Sequence, residues 1–451
     1  MQHSDNSVSR RQFLKQASIT AGTLALPSIV PASVFGANAP SQRVNLAMIG
    51  VGNRGSGVMN GFAQYDDLRF VAVSDTYQDR RERAKAQLNK RYGGLIVKAY
   101  ADFRDVIKRD DVDGVVVCTP DHWHVPVALY AARAGKDMYV EKPLGVSMVW
   151  AGALRKAIKR FGNVFQYGTQ QRSGGNFRFA CELVRNGYIG DIKRIEAWCP
   201  DISEQFNAFH VKQYGSTDPV SVPKGLDYNM WTGPSPMRPY TVDRCTCYGT
   251  YHCYDFALGF IAGWGAHPLD IAQWGMDTDH TSPVSYEGTG TLPTRGLYDT
   301  ISQWDIHCAY ANGLLMRFMS ERTAKSVVMT YRDKWVSHGT TFFGTEGWVS
   351  VDRTGLYTSS PTLKQVKLKA NEIHLYNSPA QNRNFVDCIK TRKPTINPLE
   401  SAIRSDTISH MSDLCVRLGR PIQWDPQKEA IIGDIQATRL LNRTMRSPWS
   451  L

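Results

Sequence analysis

The feature that most constrains the fold is a glycine-rich turn that directly follows an apolar segment. Residues 44–49 read VNLAMI, which is typical of a strand buried in a parallel sheet. Residues 50–55 read GVGNRG and match the pattern G-x-G-x-x-G. In this pattern Gly50 allows a tight turn, Gly52 lets the backbone approach a pyrophosphate, and Gly55 lets a helix pack closely on the strand. The turn therefore predicts a dinucleotide site at the N-terminus of the following helix.

A carboxylate at the end of the next apolar segment agrees with this prediction. Residues 70–74 read FVAVS, and Asp75 follows them, twenty positions after Gly55. An acidic residue at this spacing accepts hydrogen bonds from the adenosine ribose. Because it also repels a 2′-phosphate, NAD is expected as the cofactor. Arg80 and Arg81 leave NADP open as the less favoured alternative.

Strands and helices alternate from residue 40 to residue 165. The residues predict helices over 56–64, 78–92, 102–109 and 125–134, with strands over 112–119 and 137–140. This alternation predicts an α/β, doubly wound Rossmann domain over 40–165. Residues 119–124, TPDHWH, are predicted to form a loop at the carboxyl end of a strand, where open parallel sheets bind ligands.

The amino-terminal residues carry an export signature. Residues 9–15 read SRRQFLK and match the twin-arginine pattern S-R-R-x-F-L-K. The apolar segment at 17–30 is short and contains Thr, Ser, Gly and Pro, so it is not expected to span a membrane. We therefore expect residues 1–39 to be the signal peptide of a periplasmic or secreted protein that is not an integral membrane protein. Because twin-arginine export moves folded proteins, the cofactor is expected to be loaded before export and retained.

Size and charge bound the organisation and the partners. The length of 451 residues predicts two domains. The formal net charge of +12 favours anionic partners, such as nucleic acid, acidic glycans or a phosphorylated cofactor. The basic residues are dispersed, without an arginine-rich arm or a basic face interleaved with aromatic residues, so nucleic acid is not expected.

From residue 166 to residue 451 the pattern predicts a second, α+β domain. The residues predict strands over 192–198, 302–310, 314–319, 340–343 and 348–351, and helices over 177–186, 384–390 and 399–418. These strands suit a large, mostly antiparallel open sheet. The helix over 399–418 is expected to pack back on the first domain.

Within this domain, residues 201–255 form a long stretch rich in Pro, Gly, Tyr and Trp. Loops of this length are usually either functional or disordered, and the aromatic content favours an ordered binding loop. The candidate substrate contacts in it are Tyr228, Trp231, Arg238 and Tyr240, with packing in the core as the alternative.

The same stretch contains four soft ligands, Cys245, Cys247, His252 and Cys253. Their spacing is not that of a standard zinc site, so no metal is expected. A disulfide between two of these cysteines stays open as an alternative, although a protein that folds in a reducing cytoplasm should not need one.

Three motifs in order resemble the Gfo/Idh/MocA oxidoreductases: the turn at 50–55, TPDHWH at 119–124, and EKP at 141–143. The resemblance covers nearly all of the chain after the leader. It implies an NAD(P)-dependent enzyme acting on sugars, inositols or related polyols, with Lys142 reaching the substrate hydroxyl near the nicotinamide. The expected cofactor contacts are Gly50, Gly52, Asn53, Arg54, Gly55, Asp75, Thr119, Pro120, His122, His124, Glu141 and Lys142.

The segment at 263–274, GWGAHPLDIAQW, supplies a candidate base. Histidine suits proton removal because its unperturbed pKa is near 6.5. Asp270 would lie near His267 on a helix and could orient its ring or bind a neighbouring hydroxyl. In the family this region usually reads G-G-G-x-x-x-D-x-x-x-H; His267 matches the histidine, whereas the aspartate falls on Gly263 and is missing. The candidate catalytic residues are Lys142, His267 and Asp270, and further candidate substrate contacts are Gln170, Arg172 and Trp264.

The leading hypothesis is an exported NAD-dependent oxidoreductase that transfers hydride between a ring carbon of a sugar or glycoside and a tightly bound nicotinamide. A glycoside hydrolase similar to family 109, acting by oxidation, elimination, addition and reduction, is the alternative. Against it, the P-T-H-x-x-G-P pattern of such enzymes is not present, because Pro268 follows His267. A third hypothesis is a non-catalytic sugar-binding protein that holds NAD. The resemblance also implies a homodimer or tetramer that associates through the second domain's sheet.

Overall fold

The structure is a computed structural model that describes residues 43–202, 214–246 and 249–451. The predicted signal peptide at 1–39 and Cys247 lie outside the described residues. Residues 44–451 form one compact unit that contains two sheets. Within the described ranges, no helix combines the length and the apolar character needed to cross a membrane.

The first sheet is parallel throughout. Its strands are β1 (Val44–Ile49), β2 (Leu68–Ser74), β3 (Lys98–Tyr100), β4 (Gly114–Val117), β5 (Asp137–Val140) and β6 (Phe165–Tyr167). The connecting helices are α1 (Asn53–Ala63), α2 (Gln78–Tyr92), α3 (Phe103–Ile107), α4 (Asp121–Arg133) and α5 (Met148–Phe161). The strand order β3-β2-β1-β4-β5-β6 reverses between β1 and β4, which opens a crevice at their carboxyl ends. This order confirms the predicted Rossmann fold, and β6 carries the sheet two residues beyond position 165.

Side-chain alternation explains why β1 occupies the centre of this sheet. Ala47 and Ile49 pack in the hydrophobic core on one face, whereas Leu46 and Met48 pack in a second cluster on the other. Successive side chains of a strand point to opposite faces, so a strand covered on both sides needs a continuous apolar run. The glycine turn that follows is thereby held at the sheet's carboxyl edge.

One predicted loop is instead part of a helix. Residues 121–124 were expected in the loop TPDHWH, but α4 begins at Asp121. Pro120 precedes the helix with φ −58°, and Asp121 places a carboxylate in the first turn, where it complements the helix dipole. The expectation was wrong because polar and aromatic side chains hid the helix start, which is buried by the rest of the fold.

The second sheet is mostly antiparallel, with one parallel pair. Its strands are β7 (Ile192–Cys199), β8 (Ser285–Thr291), β9 (Gln303–Ala309), β10 (Leu315–Ser320), β11 (Gly339–Gly344), β12 (Trp348–Asp352), β13 (Gly355–Thr358), β14 (Ile422–Asp425) and β15 (Ala430–Ile431). The order is β13-β12-β11-β7-β10-β9-β8-β14-β15, and β7 pairs with β10 in parallel. The helices are α6 (Gly175–Arg185), α7 (Tyr228–Thr232), α8 (Phe260–Gly263), α9 (Ala266–Gly275), α10 (Glu321–Val328), α11 (Gln381–Thr391), α12 (Leu399–Leu418) and α13 (Ile435–Leu440). Short 3-10 helices are Gln170–Ser173, Gly249–His252 and Pro361–Gln365. This architecture confirms the predicted α+β domain.

Helix α12 connects the two sheets. It packs against α5 and β6 of the first domain and against β8 and α9 of the second. Its Asp406 accepts hydrogen bonds from the Leu144 backbone N–H at 2.6 Å and from the Tyr167 hydroxyl at 2.6 Å. These bonds tie the segment after Lys142 to the second domain, and so help to fix the geometry of the candidate site.

Candidate active site

A cleft of about 1100 Å³ opens at the carboxyl edge of the first sheet. The ends of β1, β2, β4 and β5 border it, as expected for a Rossmann crevice. The predicted cofactor residues that line the cleft are Gly50, Gly52, Asn53, Arg54, Gly55, Asp75, Thr119, Pro120, His124, Glu141 and Lys142. The fold thus brings nearly all of the predicted cofactor residues together.

The three glycines of the turn differ in what their surroundings require. Gly50 has φ +86°, and a Cβ there would lie 2.5 Å from the Cys118 carbonyl oxygen. A Cβ on Gly55 would lie 2.1 Å from the Gly50 carbonyl oxygen, so close packing forbids a side chain. At Gly52 the closest neighbour is the Arg80 guanidinium, 3.6 Å away, which leaves room on the cleft side. Helix α1 starts there without a side-chain cap or an acidic first turn, so its N-terminus suits a pyrophosphate.

Asp75 is fixed by the backbone at the end of β2. Its two carboxylate oxygens accept hydrogen bonds from the N–H groups of Val51 and Tyr77, at 2.8 and 2.9 Å. Each oxygen keeps a further lone pair for a ribose hydroxyl. Burial raises the pKa of Asp75, and the two backbone bonds oppose that change. Arg80 also lines the cleft and stacks over the Tyr77 ring at 3.8 Å. The residues present therefore fit a dinucleotide with a free ribose diol.

The two predicted histidines of the 119–124 segment are both buried. The ring nitrogens of His124 lie 2.6 Å from the Pro143 carbonyl oxygen and 2.9 Å from that of Thr119. His124 thereby links the turn after β4 to the turn after β5. His122 instead lies 3.0 Å from the Trp231 carbonyl oxygen and is not part of the cleft lining. Its position is that of a packing residue.

Lys142 projects from the end of β5 toward the second domain. Its Nζ donates a hydrogen bond to the Gly263 carbonyl oxygen at 2.6 Å. Burial lowers the pKa of Lys142, while the carboxylates of Glu141 and Asp121 oppose that change. Glu141 itself accepts two hydrogen bonds from Arg54, at 2.9 and 2.6 Å. The structure therefore holds a buried amine between the cofactor cleft and the segment that carries His267.

His267 lies in the first turn of α9 and is buried. Among the described residues its Nδ1 has no hydrogen-bond partner. Burial lowers the pKa of His267 well below 6.5, and the positive charges of Lys142 and Arg353 lower it further. The imidazole is consequently neutral near pH 7 and able to accept a proton.

Asp270 is engaged away from His267. Its carboxylate accepts hydrogen bonds from the buried Arg172 guanidinium at 2.7 Å and from the Thr169 hydroxyl at 2.9 Å. Arg172 also pairs with Asp279 at 2.7 Å, so its guanidinium is committed on both sides. The predicted catalytic and substrate residues at these two positions thus form an internal ion-pair network between the 3-10 helix at 170–173 and α9.

The predicted aromatic contacts mostly pack on one another. Tyr228 stacks on Trp231 at 6.3 Å, and Tyr240 meets the Tyr228 ring edge-on at 5.4 Å. Of these three, Trp231 lines the cleft. The Arg238 side chain lies 3.4 Å from Asp255 and is exposed. The cluster therefore forms a wall of the cleft and matches the core-packing alternative at most of these positions.

Two other predicted substrate residues lie outside the cleft. Gln170 lines a separate surface cavity beside Arg54. The Trp264 ring lies 5.6 Å from the His267 ring, and the Arg353 guanidinium carbon covers its face at 4.9 Å. Trp264 is therefore near the candidate base, with one ring face already occupied.

Two residues near Lys142 were missed by the sequence analysis. The Tyr251 ring centre lies 5.6 Å from the Lys142 Nζ, and a Cβ on Gly263 would lie 3.1 Å from this ring. Tyr251 thus occupies the space beside Gly263, the position at which the family has its aspartate. No local sequence pattern around Tyr251 indicates this role. Asp121 is buried and lines the cleft, and burial raises its pKa. The position of Asp121 within the TPDHWH motif is the sequence signal that could have identified it.

The described cysteines give no evidence of a metal or a disulfide. Cys245 and Cys253 are both buried, free thiols. In the part of the chain that the structure describes, no three His, Cys, Asp or Glu side chains are grouped so that they could hold a metal ion.

Comparison with known families gives two matches along the chain. Residues 44–169 match "Oxidoreductase family, NAD-binding Rossmann fold", and residues 201–451 match "Oxidoreductase family, C-terminal alpha/beta domain", both of the Gfo/Idh/MocA group. The second match alone spans more than half of the chain.

Curated relatives match a shorter part. "Glycosyl hydrolase family 109 protein 2" of Shewanella sp. (strain ANA-3) is 36% identical over 213 residues, which cover 42% of this chain and 45% of that protein. "Alpha-N-acetylgalactosaminidase" of Shewanella oneidensis is 28% identical over 210 residues, covering 43% and 46%. The chain thus spans about half the length of the curated relatives it matches.

Solved structures share the fold over most of the chain. The WlbA dehydrogenase of Bordetella pertussis, solved with NADH and UDP-GlcNAcA, has a TM-score of 0.60 at 14% identity and covers 85% of this chain and 99% of its own. The aldose-aldose oxidoreductase of Caulobacter crescentus, solved with glycerol, has a TM-score of 0.57 at 18% identity, with 84% and 99% covered. At these identities the likeness concerns the fold.

Proposed function

Since the chain belongs to the Gfo/Idh/MocA oxidoreductase family, we propose that it transfers hydride between NAD and a ring carbon of a sugar or glycoside. The observation that carries the proposal is a pair of acid–base groups on adjoining segments, one of which lines the cofactor cleft. Lys142 lines that cleft and also bonds to Gly263, four residues before the neutral His267. A buried ammonium and a neutral imidazole on adjoining segments are the groups that alcohol oxidation needs.

Three sets of residues would hold NAD in the cleft. The turn from Gly50 to Gly55 and the start of α1 would hold the pyrophosphate, and Asp75 would bind the adenosine ribose. The segments at 119–124 and 141–142 line the remaining space toward Lys142. When bound, NAD would supply the hydride acceptor for this oxidation, and a second sugar molecule would have to take the hydride back before the next turnover.

The chain's own residues handle the proton. His267 takes the proton of the substrate hydroxyl, because its neutral imidazole is available near pH 7. The Lys142 ammonium donates a hydrogen bond to the same oxygen and stabilises its developing negative charge. The negative charge of Glu141 opposes the effect of burial on this ammonium.

Product analysis tests the proposal directly. Protein purified without added NAD is incubated with a panel of sugars and glycosides, and the products are identified by mass spectrometry. A keto-sugar is expected.

Lys142→Met and His267→Gln should each lower turnover about 100- to 10,000-fold while the nucleotide released on denaturation stays constant. Near-normal turnover by the His267 variant would place the base elsewhere.

Hydrolysis is the second candidate function. It is favoured by the 36% identity to a protein named as a family-109 glycosyl hydrolase. In that case a transient oxidation is followed by elimination, addition of water and reduction, so a free sugar and aglycone form without net redox change. The same experiment separates the two, and a protein that only binds sugar would form neither product.

We also propose that the protein is exported with its cofactor through the twin-arginine route. The motif SRRQFLK at 9–15 supports this proposal. Replacement of both Arg10 and Arg11 by Lys should retain the protein in the cytoplasm, as measured by cell fractionation. If the exported protein released no dinucleotide on denaturation, the proposal that the cofactor is retained during export would be contradicted.

A further inference from the structure

An arginine in the turn after β12 lies near the candidate site. Arg353 is in the turn between β12 and β13 and is exposed. Among the described residues it forms no salt bridge, although the carboxylate of Asp352 precedes it in the chain. That carboxylate is already bound by the buried Arg332 and by the backbone N–H of Thr354 at 2.7 Å. The guanidinium of Arg353 therefore keeps its donors for another group.

The location of Arg353 connects it to the candidate base through one side chain. Its guanidinium carbon lies 4.9 Å from the centre of the Trp264 ring, and that ring lies 5.6 Å from the His267 ring. The positive charge of Arg353 is also among those that lower the pKa values of His267 and Lys142. The Trp264 ring thus lies between the Arg353 guanidinium and the candidate base.

The charges around the site are not balanced. The positive charges there are those of Arg54, Lys142 and Arg353. The carboxylates near them are those of Glu141 and Asp121. Glu141 is already bound by Arg54 at 2.6 Å, and burial raises the pKa of Asp121, which disfavours its charged form. Arg353 is the cation of this group that lies over the Trp264 ring, and among the described residues no carboxylate pairs with it.

A guanidinium recognises a carboxylate with particular geometry. Its planar fork matches the two oxygens of a carboxylate and can form two parallel hydrogen bonds, which are stronger than bonds between neutral groups. Contact with the Trp264 ring restricts the Arg353 side chain and so lowers the entropy lost on binding. A neutral sugar would leave this cation unpaired.

We propose that the substrate is an acidic sugar, and that Arg353 binds its carboxylate while a ring hydroxyl lies at Lys142 and His267. This inference rests on the proposed function and names the substrate class of the same site: a uronic acid or a uronide. The overall net charge of +12 would favour the approach of such an anion.

Binding measurements on the protein as purified test this assignment apart from catalysis. Isothermal titration compares methyl β-D-glucuronide, methyl β-D-glucoside and methyl β-D-glucoside 6-sulfate. The expected result is that the glucuronide binds about 10- to 100-fold more tightly than the glucoside. Arg353→Gln should abolish that preference, and Arg353→Lys should retain only part of it because it loses the fork.

Arg295→Gln is the matched control. Arg295 also lies over an aromatic ring, Tyr214 at 4.0 Å, but its charge is not among the principal ones that act on His267 or Lys142, so this variant should keep the preference for the glucuronide. The assignment would be overturned if the glucuronide and the glucoside bound equally tightly, or if the 6-sulfate bound as tightly as the glucuronide. It would also be overturned if Arg353→Gln kept the preference for the glucuronide. Oxidation is measured separately, as formation of a keto-product. Preferential binding of the glucuronide without any keto-product would count against the proposed function. A keto-product from the glucoside, with no preference for the glucuronide, would count against the acidic sugar.

Discussion

At the scale of single residues, the candidate chemistry depends on burial. His267 is buried, Lys142 is half-buried with its amine shielded from solvent, and this burial lowers the pKa of each. A histidine in this state remains a base at pH values where an exposed one would be protonated. A lysine in this state loses its proton more readily than an exposed one, and neighbouring carboxylates limit that loss.

The pH profile of turnover follows from these directions. Activity requires neutral His267 and charged Lys142, so it should rise with pH through the pKa of the first and fall through that of the second. The acid limb is expected below pH 6.5 and the alkaline limb below pH 10.5. The measurement is kcat/KM against pH for the wild type and for His267→Gln. An acid limb that survives unchanged in the variant would show that another group controls it.

Gly263 and Tyr251 form a second residue-scale unit. A Cβ at position 263 would meet the Tyr251 ring at 3.1 Å, so a side chain there would require the ring beside Lys142 to shift. Gly263→Asp should displace the ring and lower kcat/KM. In a double-mutant cycle with Tyr251→Ala, a coupling of about 0.5–3 kcal/mol is expected. Additive effects of the two changes would mean that Tyr251 and position 263 act independently.

At the scale of elements, the start of α9 separates two roles that the sequence placed together. His267 and Asp270 are three residues apart, and the spacing suggested a catalytic pair. In the structure Asp270 joins α9 to the segment at 170–173 through Arg172, and both side chains are buried. Asp270 therefore supports the helix that carries His267.

Asp270→Asn distinguishes support from chemistry. Removing one partner of a buried ion pair should lower the free energy of unfolding by on the order of 3 kcal/mol. Turnover below the unfolding transition should change much less than in His267→Gln. Asp279→Asn is the control, because Asp279 is about one-third exposed and pairs with the same arginine. A hundredfold loss of kcat with unchanged stability would assign Asp270 to the reaction.

The same elements show what the sequence could predict. Helices α2 and α12 begin and end at the predicted residues, 78–92 and 399–418. The start of α4 was missed because the burial of its polar first turn depends on the rest of the fold. Likewise Tyr251 and Arg353 reach the site from segments far from Lys142 in sequence, so only tertiary packing brings them together.

At the scale of the whole molecule, one surface suits association between copies of the chain. On the face of the second sheet opposite its buried side chains, Asp305 pairs with Arg317 at 2.7 Å. Leu315 lies on the neighbouring strand β10 with 55% of its surface exposed. An exposed leucine among ion pairs fits the centre of an interface with a polar rim.

We expect a dimer or tetramer that associates through this face, and Leu315→Glu should dissociate it. A charge buried against a partner is costly, so light scattering at micromolar concentration should give the monomer mass for this variant. Bound NAD should remain, because the Gly50–Gly55 turn belongs to the other domain. Leu95→Glu is the matched control: Leu95 is 97% exposed in the first domain, and its replacement should leave the mass unchanged. If Leu95→Glu dissociated the protein and Leu315→Glu had no effect, the interface would lie on the first domain instead. A monomeric wild type would rule out association at this concentration.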